Sequence, residues 1–207
     1  MTQKYISFVF DDGPKEPMLD IVDKISAYGW SAGFAVVGKK INDNTEKYLK
    51  YAIEHDFELV SHGRNHIDLT MLKSTNDIAD EILKPIEEVK KRLNYKISLA
   101  RLPFIAYNDS VIKVVTDLQI PLLGQGIDGG EDWVKDKSPE SIAIAVLNSV
   151  YDGAIACLHV TDNTSKALEI ILPILKERGY TLVTPSNLFM LKNIKEIPLG
   201  VNISNVI

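Results

Sequence analysis

Two adjacent carboxylates, Asp11 and Asp12, end an apolar run over residues 5–10 and are followed directly by Gly13-Pro14. The run is rich in β-formers and reads as a buried strand. Gly-Pro stops it and turns the chain. An unpaired carboxylate at the mouth of a buried strand is costly, so a metal, an arginine or both should sit there. His62 and His66 are four residues apart, a spacing that stacks two imidazoles on one face of a helical turn, where they can share one ion. The zinc-protease form of that pair needs Glu after the first His, and Gly63 stands there instead. A carboxylate from another strand would complete a His–His–carboxylate set. Such a set suits catalytic zinc, with positions open for water and substrate, and also non-haem iron. Arg101 precedes Pro103-Phe104, Asp128 and Asp132-Trp133 flank a Gly-Gly pair, and Leu158-His159 ends a further apolar run.

Each of these residues also has an ordinary explanation. Asp11 and Asp12 read equally as capping residues of a strand-to-helix turn. The two histidines read as surface or core groups, Arg101 as an exposed strand-end arginine, Trp133 as core, and His159 as a buried imidazole bonded to backbone. A glycosidase pair must flank a bond at about 5–9.5 Å, a separation that neighbours on one loop reach poorly. What sets these residues apart is their shared place, at or just past the end of an apolar run. Three of the four histidines fall there.

The runs that must position them are 5–10, 32–37, 57–61, 98–102, 122–125, 154–159 and 181–184. Between them lie segments of helical period: Met18, Ile21, Val22 and Ile25; Tyr48, Leu49, Ala52 and Ile53; Ile78, Ile82, Ile86, Val89 and Leu93; and the stretches 111–118, 142–150 and 167–175. Pro85 and Pro173 fall inside helical patterns and should kink them or mark a restart. Strict strand–helix alternation argues for a parallel sheet wrapped by helices. About seven strands place the chain at the small end of closed α/β barrels, with a doubly wound open sheet as the competing topology. Both architectures put chemistry at the carboxyl ends of the strands. With 207 residues and no linker or repeat, a single domain over 1–207 is expected, with its core at 5–190 and the tail after Leu191 packed on the outside.

A composition of 45% apolar and 25% charged residues is that of an ordinary globular chain. The net charge of -5 argues against nucleic acid; a neutral or cationic partner, such as an uncharged sugar polymer, fits better. The lone Cys157 has no internal disulfide partner and reads as a small core residue. No apolar stretch reaches membrane-spanning length. The first strand begins too early for a signal peptide to precede it, so the chain as given is expected in the cytoplasm, or exported if a leader has been removed. Oligomeric state is not legible.

Taken together, the motifs resemble those of polysaccharide deacetylases, the NodB-like family-four carbohydrate esterases. Phe10-Asp11-Asp12-Gly13-Pro14 looks like the family's first motif. His62-x-x-x-His66, continued by Asp68-Leu69-Thr70-x-Leu72, resembles the second. Arg101-x-Pro103-Phe104 is similar to the third, Asp128…Asp132-Trp133 to the fourth, and Leu158-His159 to the fifth. The C-terminal run Ala167-Leu168…Leu172-Pro173-Ile174-Leu175-Lys176…Gly179-Tyr180…Leu182-Val183-Thr184 also looks typical. The likeness spans residues 5 to 190 in order.

The resemblance implies an α/β fold, a distorted (β/α) barrel of about seven parallel strands, and a metal-dependent hydrolase that removes acetyl groups from N-acetylated sugars. It implies Asp12, His62 and His66 as ligands of Zn2+, with Co2+, Ni2+ or Mn2+ as alternatives. Asp11 would be the general base, Arg101 its charge partner, and His159 the general acid. Asp132, with Asp128 as second choice, would pair with His159 or Arg101. The Phe104 N–H would join the metal at the oxyanion. Trp133, Phe104 and Leu158, with Pro103 beside them, would line the acetyl pocket and sugar groove. The chain departs from the pattern at Gly63, where the family usually has Ser or Thr, so the loop is held differently, with Asn65 the candidate. It departs again in an extra residue between Asp128 and Asp132, and in Val160 where Asp often follows the last histidine. The same site acting on O-acetyl esters or non-sugar amides, and an inactive carbohydrate-binding relative, are the alternatives.

Overall fold

The computed structural model describes residues 3–205. The chain runs β1 (Lys4–Gly13), α1 (Pro17–Ser26), β2 (Gly33–Val36), α2 (Glu46–Glu54), β3 (Glu58–Ser61), α3 (Thr75–Leu93), α4 (Asp109–Asp117), β4 (Leu122–Leu123), β5 (Ile127–Asp128), α5 (Pro139–Ser149), β6 (Ile155–His159), α6 (Asp162–Glu177), β7 (Tyr180–Leu182), α7 (Pro185–Leu191) and β8 (Asn202–Ile203). The strands form a distorted (β/α) barrel. One sheet has the order β3-β2-β1-β6-β5, with β7 paired to the start of β1. Its ladders are all parallel. Ala100 bridges Ser61 of β3 to Leu122 of β4, β4 pairs β8, and Asn205 bridges Ala154 at the foot of β6, which carries the wall round.

Strand alternation separates two cores. Val9, Ala35, Val60, Leu99, Leu123, Ile155 and Ile203 meet inside the barrel, with Leu188 and Phe189 of α7 beside them. Residues of the opposite parity, among them Phe8, Phe10, Phe34, Leu59 and Leu158, face the helices. The amphipathic helices bury the expected faces: Met18, Ile21, Val22 and Ile25 of α1, Leu49 and Ala52 of α2, and Ile78, Ile82 and Val89 of α3. The inner parity also places the chemistry. Two residues on from the inner apolar layer come Asp11 after Val9, His62 after Val60, Arg101 after Leu99, Gln125 after Leu123 and Cys157 after Ile155.

The structure differs from the sequence expectation in four respects. Residues 98–102 make no ladder, only the bridges at Ala100. The tail after Leu191 does not simply pack outside, because β8 enters the wall and Ile203 joins the inner core. β5 is an additional two-residue strand beside β6. Of the kink or restart expected at Pro85 and Pro173, the restart does not occur, because α3 and α6 continue through them. Among the described residues no helix is long and apolar enough to cross a membrane.

Candidate active site

The carboxyl ends of β1, β3 and β6 and the loops after them enclose a cavity of about 360 Å³. Asp11, Asp12, His62, His66, Phe104, Trp133, Cys157 and His159 line it, together with Ile105, Gln125 and Asp128. A larger groove of about 960 Å³ opens at the other end of the strands, near Trp30, His55 and Ser186. It gathers none of these groups; residues at that end of a barrel serve stability more often than chemistry.

Asp11 is fixed by the fully buried Arg101, whose Nη1 donates to Oδ1 at 2.9 Å. The same guanidinium donates to the carbonyls of Val9, Gly124 and Ala156, tying three strands to one cation. The other carboxylate oxygen, Oδ2, accepts from the Cys157 thiol at 3.3 Å and lies 3.9 Å from Nε2 of His62.

Asp12, His62 and His66 each offer a donor atom, and the three atoms lie within 4.8 Å of one another. His62 Nδ1–H donates to the Arg101 carbonyl at 2.8 Å, which leaves Nε2 with its lone pair in the cavity. Nε2 of His66 is 3.1 Å from Oδ1 of Asp12, yet that buried oxygen has no hydrogen-bond partner among the described residues. Burial pulls the His66 pKa down from 6.5; the charge of Asp12 opposes this, His62 and Lys40 add to it, and the net direction is down. Burial raises the Asp12 carboxyl, but Lys40, His66 and His62 more than reverse this and hold it below 3.8. A neutral imidazole facing an ionised carboxylate, with no proton shared, is a donor set that fits a divalent cation.

His159 is set by Asp132, which is buried. Its Oδ1 accepts from His159 Nδ1–H at 2.7 Å, and its Oδ2 accepts from the His159 backbone N–H at 2.6 Å and from Thr164 Oγ1 at 2.8 Å. Asp128 is exposed and instead bonds Gln125 and the Gly130 N–H. Asp132 is therefore the partner of His159, and Asp11 that of Arg101.

The second-motif loop has a brace of its own. Gly63 has φ +71°, and a Cβ there would stand 3.2 Å from Pro103 Cγ. Asn65 binds the buried Glu81 of α3 twice, through its backbone N–H at 2.9 Å and its side-chain amide at 2.5 Å. Lining residues Asp12, His66 and Phe104 hold positive φ values of 72°, 56° and 59°; such strain gathers at functional sites.

Two expected wall residues do not reach the cavity. Leu158 has no exposed surface and faces the helix-side core, because the alternation that points His159 inward points its neighbour outward. Cys157 takes the inward place two residues before His159; it is buried, as its reading as a core residue expected, and it also lines the cavity. Pro103 is buried against Gly63 rather than exposed to the cavity. Phe104 and Trp133 are 66% and 53% exposed and stand beside His66 and His159, with ring centroids 5.0 and 5.1 Å apart. Glu81 and Lys40 were missed. A lone Glu on the buried face of an amphipathic helix was the only signal for the first.

Comparison with known proteins agrees with this arrangement. A bifunctional xylanase/deacetylase of Pseudobutyrivibrio xylanivorans is 29% identical over 93% of this chain and 31% of its own length. The chain thus spans about a third of that relative. A peptidoglycan-N-acetylglucosamine deacetylase of Bacillus cereus is 31% identical over 92% of this chain and 91% of its own. The family 4 acetyl xylan esterase of Clostridium thermocellum, solved in complex with a cobalt ion, superposes with a TM-score of 0.89 at 28% identity, covering 98% of this chain and 99% of that one. The family model described as polysaccharide deacetylase matches residues 1–123. With the motifs converging on one cavity and relatives similar along nearly its whole length, the chain belongs to the polysaccharide deacetylase family.

Proposed function

We propose that the chain is a metal-dependent hydrolase that removes acetyl groups from N-acetylated sugar units of a chitin-like or peptidoglycan-like glycan. The observation that carries this is the meeting, in one cavity, of a three-donor set with Asp11 and His159 beside it. The likeness to the Bacillus cereus deacetylase supports the substrate class.

In this reading Asp12, His62 and His66 hold one divalent cation, Zn2+ by donor type, with Co2+, Ni2+ or Mn2+ as alternatives. When bound, that cation supplies Lewis acidity toward the acyl oxygen and the attacking water. Asp11 accepts the water proton through Oδ2, the oxygen that Arg101 leaves free. The backbone N–H of Phe104 is the proposed donor to the developing oxyanion, a contact worth roughly 3–4 kcal/mol in other acyl-transfer sites. An amine leaves poorly without a proton, and His159, held charged by Asp132, delivers one. Phe104 and Trp133 flank the cavity as sugar-contacting faces.

The test is acetate release from chitin oligomers and peptidoglycan fragments, before and after chelation and with zinc restored. Activity that falls on chelation and returns with zinc supports the reading. Absence of acetate from every glycan in the zinc-restored protein refutes it. The similarity to an acetyl xylan esterase favours a second reading, hydrolysis of O-acetyl esters. An alkoxide leaves more readily than an amide nitrogen, so His159→Gln should damage amide cleavage more than ester cleavage.

A further inference from the structure

We propose that Asp11, Cys157 and His159 form a second cation site, selective for soft divalent ions of the zinc or cadmium class, whose occupation inhibits the enzyme. Their donor atoms lie within 4.8 Å of one another, a bound that Asp12, His62 and His66 also meet. Cys157 Sγ is already 3.3 Å from Asp11 Oδ2. Donors at tetrahedral zinc bond lengths stand roughly 3.5 Å apart, so little movement is required. Arg101 engages only Oδ1 of Asp11 and leaves Oδ2 free. His159 gives Nδ1–H to Asp132, which leaves Nε2 as the ligating nitrogen. A carboxylate behind a ligating imidazole is the usual support for a metal-bound histidine.

The thiol gives the site its selectivity, since sulfur favours soft cations over magnesium or calcium. Burial and the nearby Asp11 charge raise the Cys157 pKa, so the free group is a neutral thiol. Binding replaces the S–H bond with an S–metal bond and displaces the proton on His159 Nε2, and both protons go to solvent. The two sites adjoin, because His62 Nε2 is 3.9 Å from Asp11 Oδ2. Two cations so close repel, and the second must bind more weakly. The inhibitory consequence rests on the roles proposed for Asp11 and His159, since one ion would occupy both proton acceptor and proton donor; the binding itself does not.

Titration of the metal-free chain with Co2+, followed by absorption, tests the site without substrate. The first ion should give visible d–d bands without sulfur-to-cobalt charge transfer, since its three ligands carry no thiolate. Further Co2+ should add a near-ultraviolet charge-transfer band. That band should vanish in Cys157→Ser and need about tenfold more Co2+ in His159→Gln, while the first binding step persists in both. Excess Cd2+ should inhibit wild type and spare Cys157→Ser by a similar factor. Folded wild type with no charge-transfer band at any Co2+ ratio overturns the site, as does a Cys157→Ser protein that still binds two ions. A chain that develops the band but releases no acetate keeps the site and loses the functional reading.

Discussion

The Asp11–Arg101 pair is almost dry, with side-chain exposures of 4% and 0%. Removing one partner of such a pair costs roughly 3–5 kcal/mol, because the other charge is left buried. Asp11→Asn keeps the shape and an acceptor oxygen for Arg101 while removing the proposed base. It should fold, retain metal and lose turnover by about 10²–10⁴-fold, with metal content and acetate release measured separately. Asp11→Ala should also lower Tm. Loss of metal in Asp11→Asn would exchange the roles of the two aspartates. For His159, burial lowers the pKa, and the hydrogen bond and charge of Asp132, with the charges of Asp11 and Asp12, more than reverse this and leave it above 6.5. The acid form therefore persists above that value, and the alkaline limb of amide hydrolysis should lie higher than an ordinary histidine gives. Asp132→Asn should move that limb to lower pH, as a pH–rate profile would show; an unmoved limb means another group sets it. Stability follows the same sign. A raised folded pKa contributes fully below 6.5 and is lost as pH rises through the folded value. The Tm deficit of Asp132→Asn should accordingly shrink in alkali.

At the scale of elements, the loop between the two proposed histidine ligands hangs on α3 through Glu81. Glu81→Ala leaves Asn65 and its N–H without their acceptors. An unmet buried donor costs about 1–3 kcal/mol, and loss of such support typically lowers metal affinity roughly 10–100-fold. Calorimetric metal titration should show that loss, and Glu81→Gln, which keeps one acceptor oxygen, should lose less; equal affinity in all three proteins would free the loop from α3. This brace was nearly invisible in the sequence, because a single buried Glu looks like one misplaced polar residue until its partner is seen. The strand ends were legible for the opposite reason. The runs 5–10, 57–61, 98–102 and 154–159 each carry or meet a charged or imidazole group at the end, and that shared place let Asp11, Asp12, His62, His66, Arg101 and His159 be gathered before any fold was known. The wall of the cavity was less so. Both faces of β6 are buried, so its run shows no alternation, and nothing within it marks Cys157 rather than Leu158 as the inward residue except the parity of His159. β5 and β8, at two residues each, carry no period at all.

The last strand connects the whole barrel to the site. Ile203 O accepts from Gly124 N–H at 2.7 Å and Ser204 O accepts from Ile155 N–H at 2.9 Å, which puts residues 203–204 between the strands that hold Arg101. The Gly124 carbonyl takes a hydrogen bond from Arg101 Nη2 at 2.9 Å. The approach is close enough that a Cβ on Gly126 would stand 2.1 Å from Ser204 O. Deleting residues 200–207 removes one buried isoleucine, worth about 1.5–3 kcal/mol, and several backbone hydrogen bonds at about 0.5–1.5 kcal/mol each. At about 2–4 °C per kcal/mol for a chain of this size, Tm should fall by roughly 10 °C. Because the slackened segment anchors Arg101 and not the three proposed metal ligands, turnover should fall further than metal affinity does. Gly126→Ala disturbs the same seam without shortening the chain and should reproduce both effects. If the truncated protein melts with wild type and keeps full turnover, the barrel stands without its last strand, and Asp11, Val9 and Ala156 hold Arg101 without help from that seam.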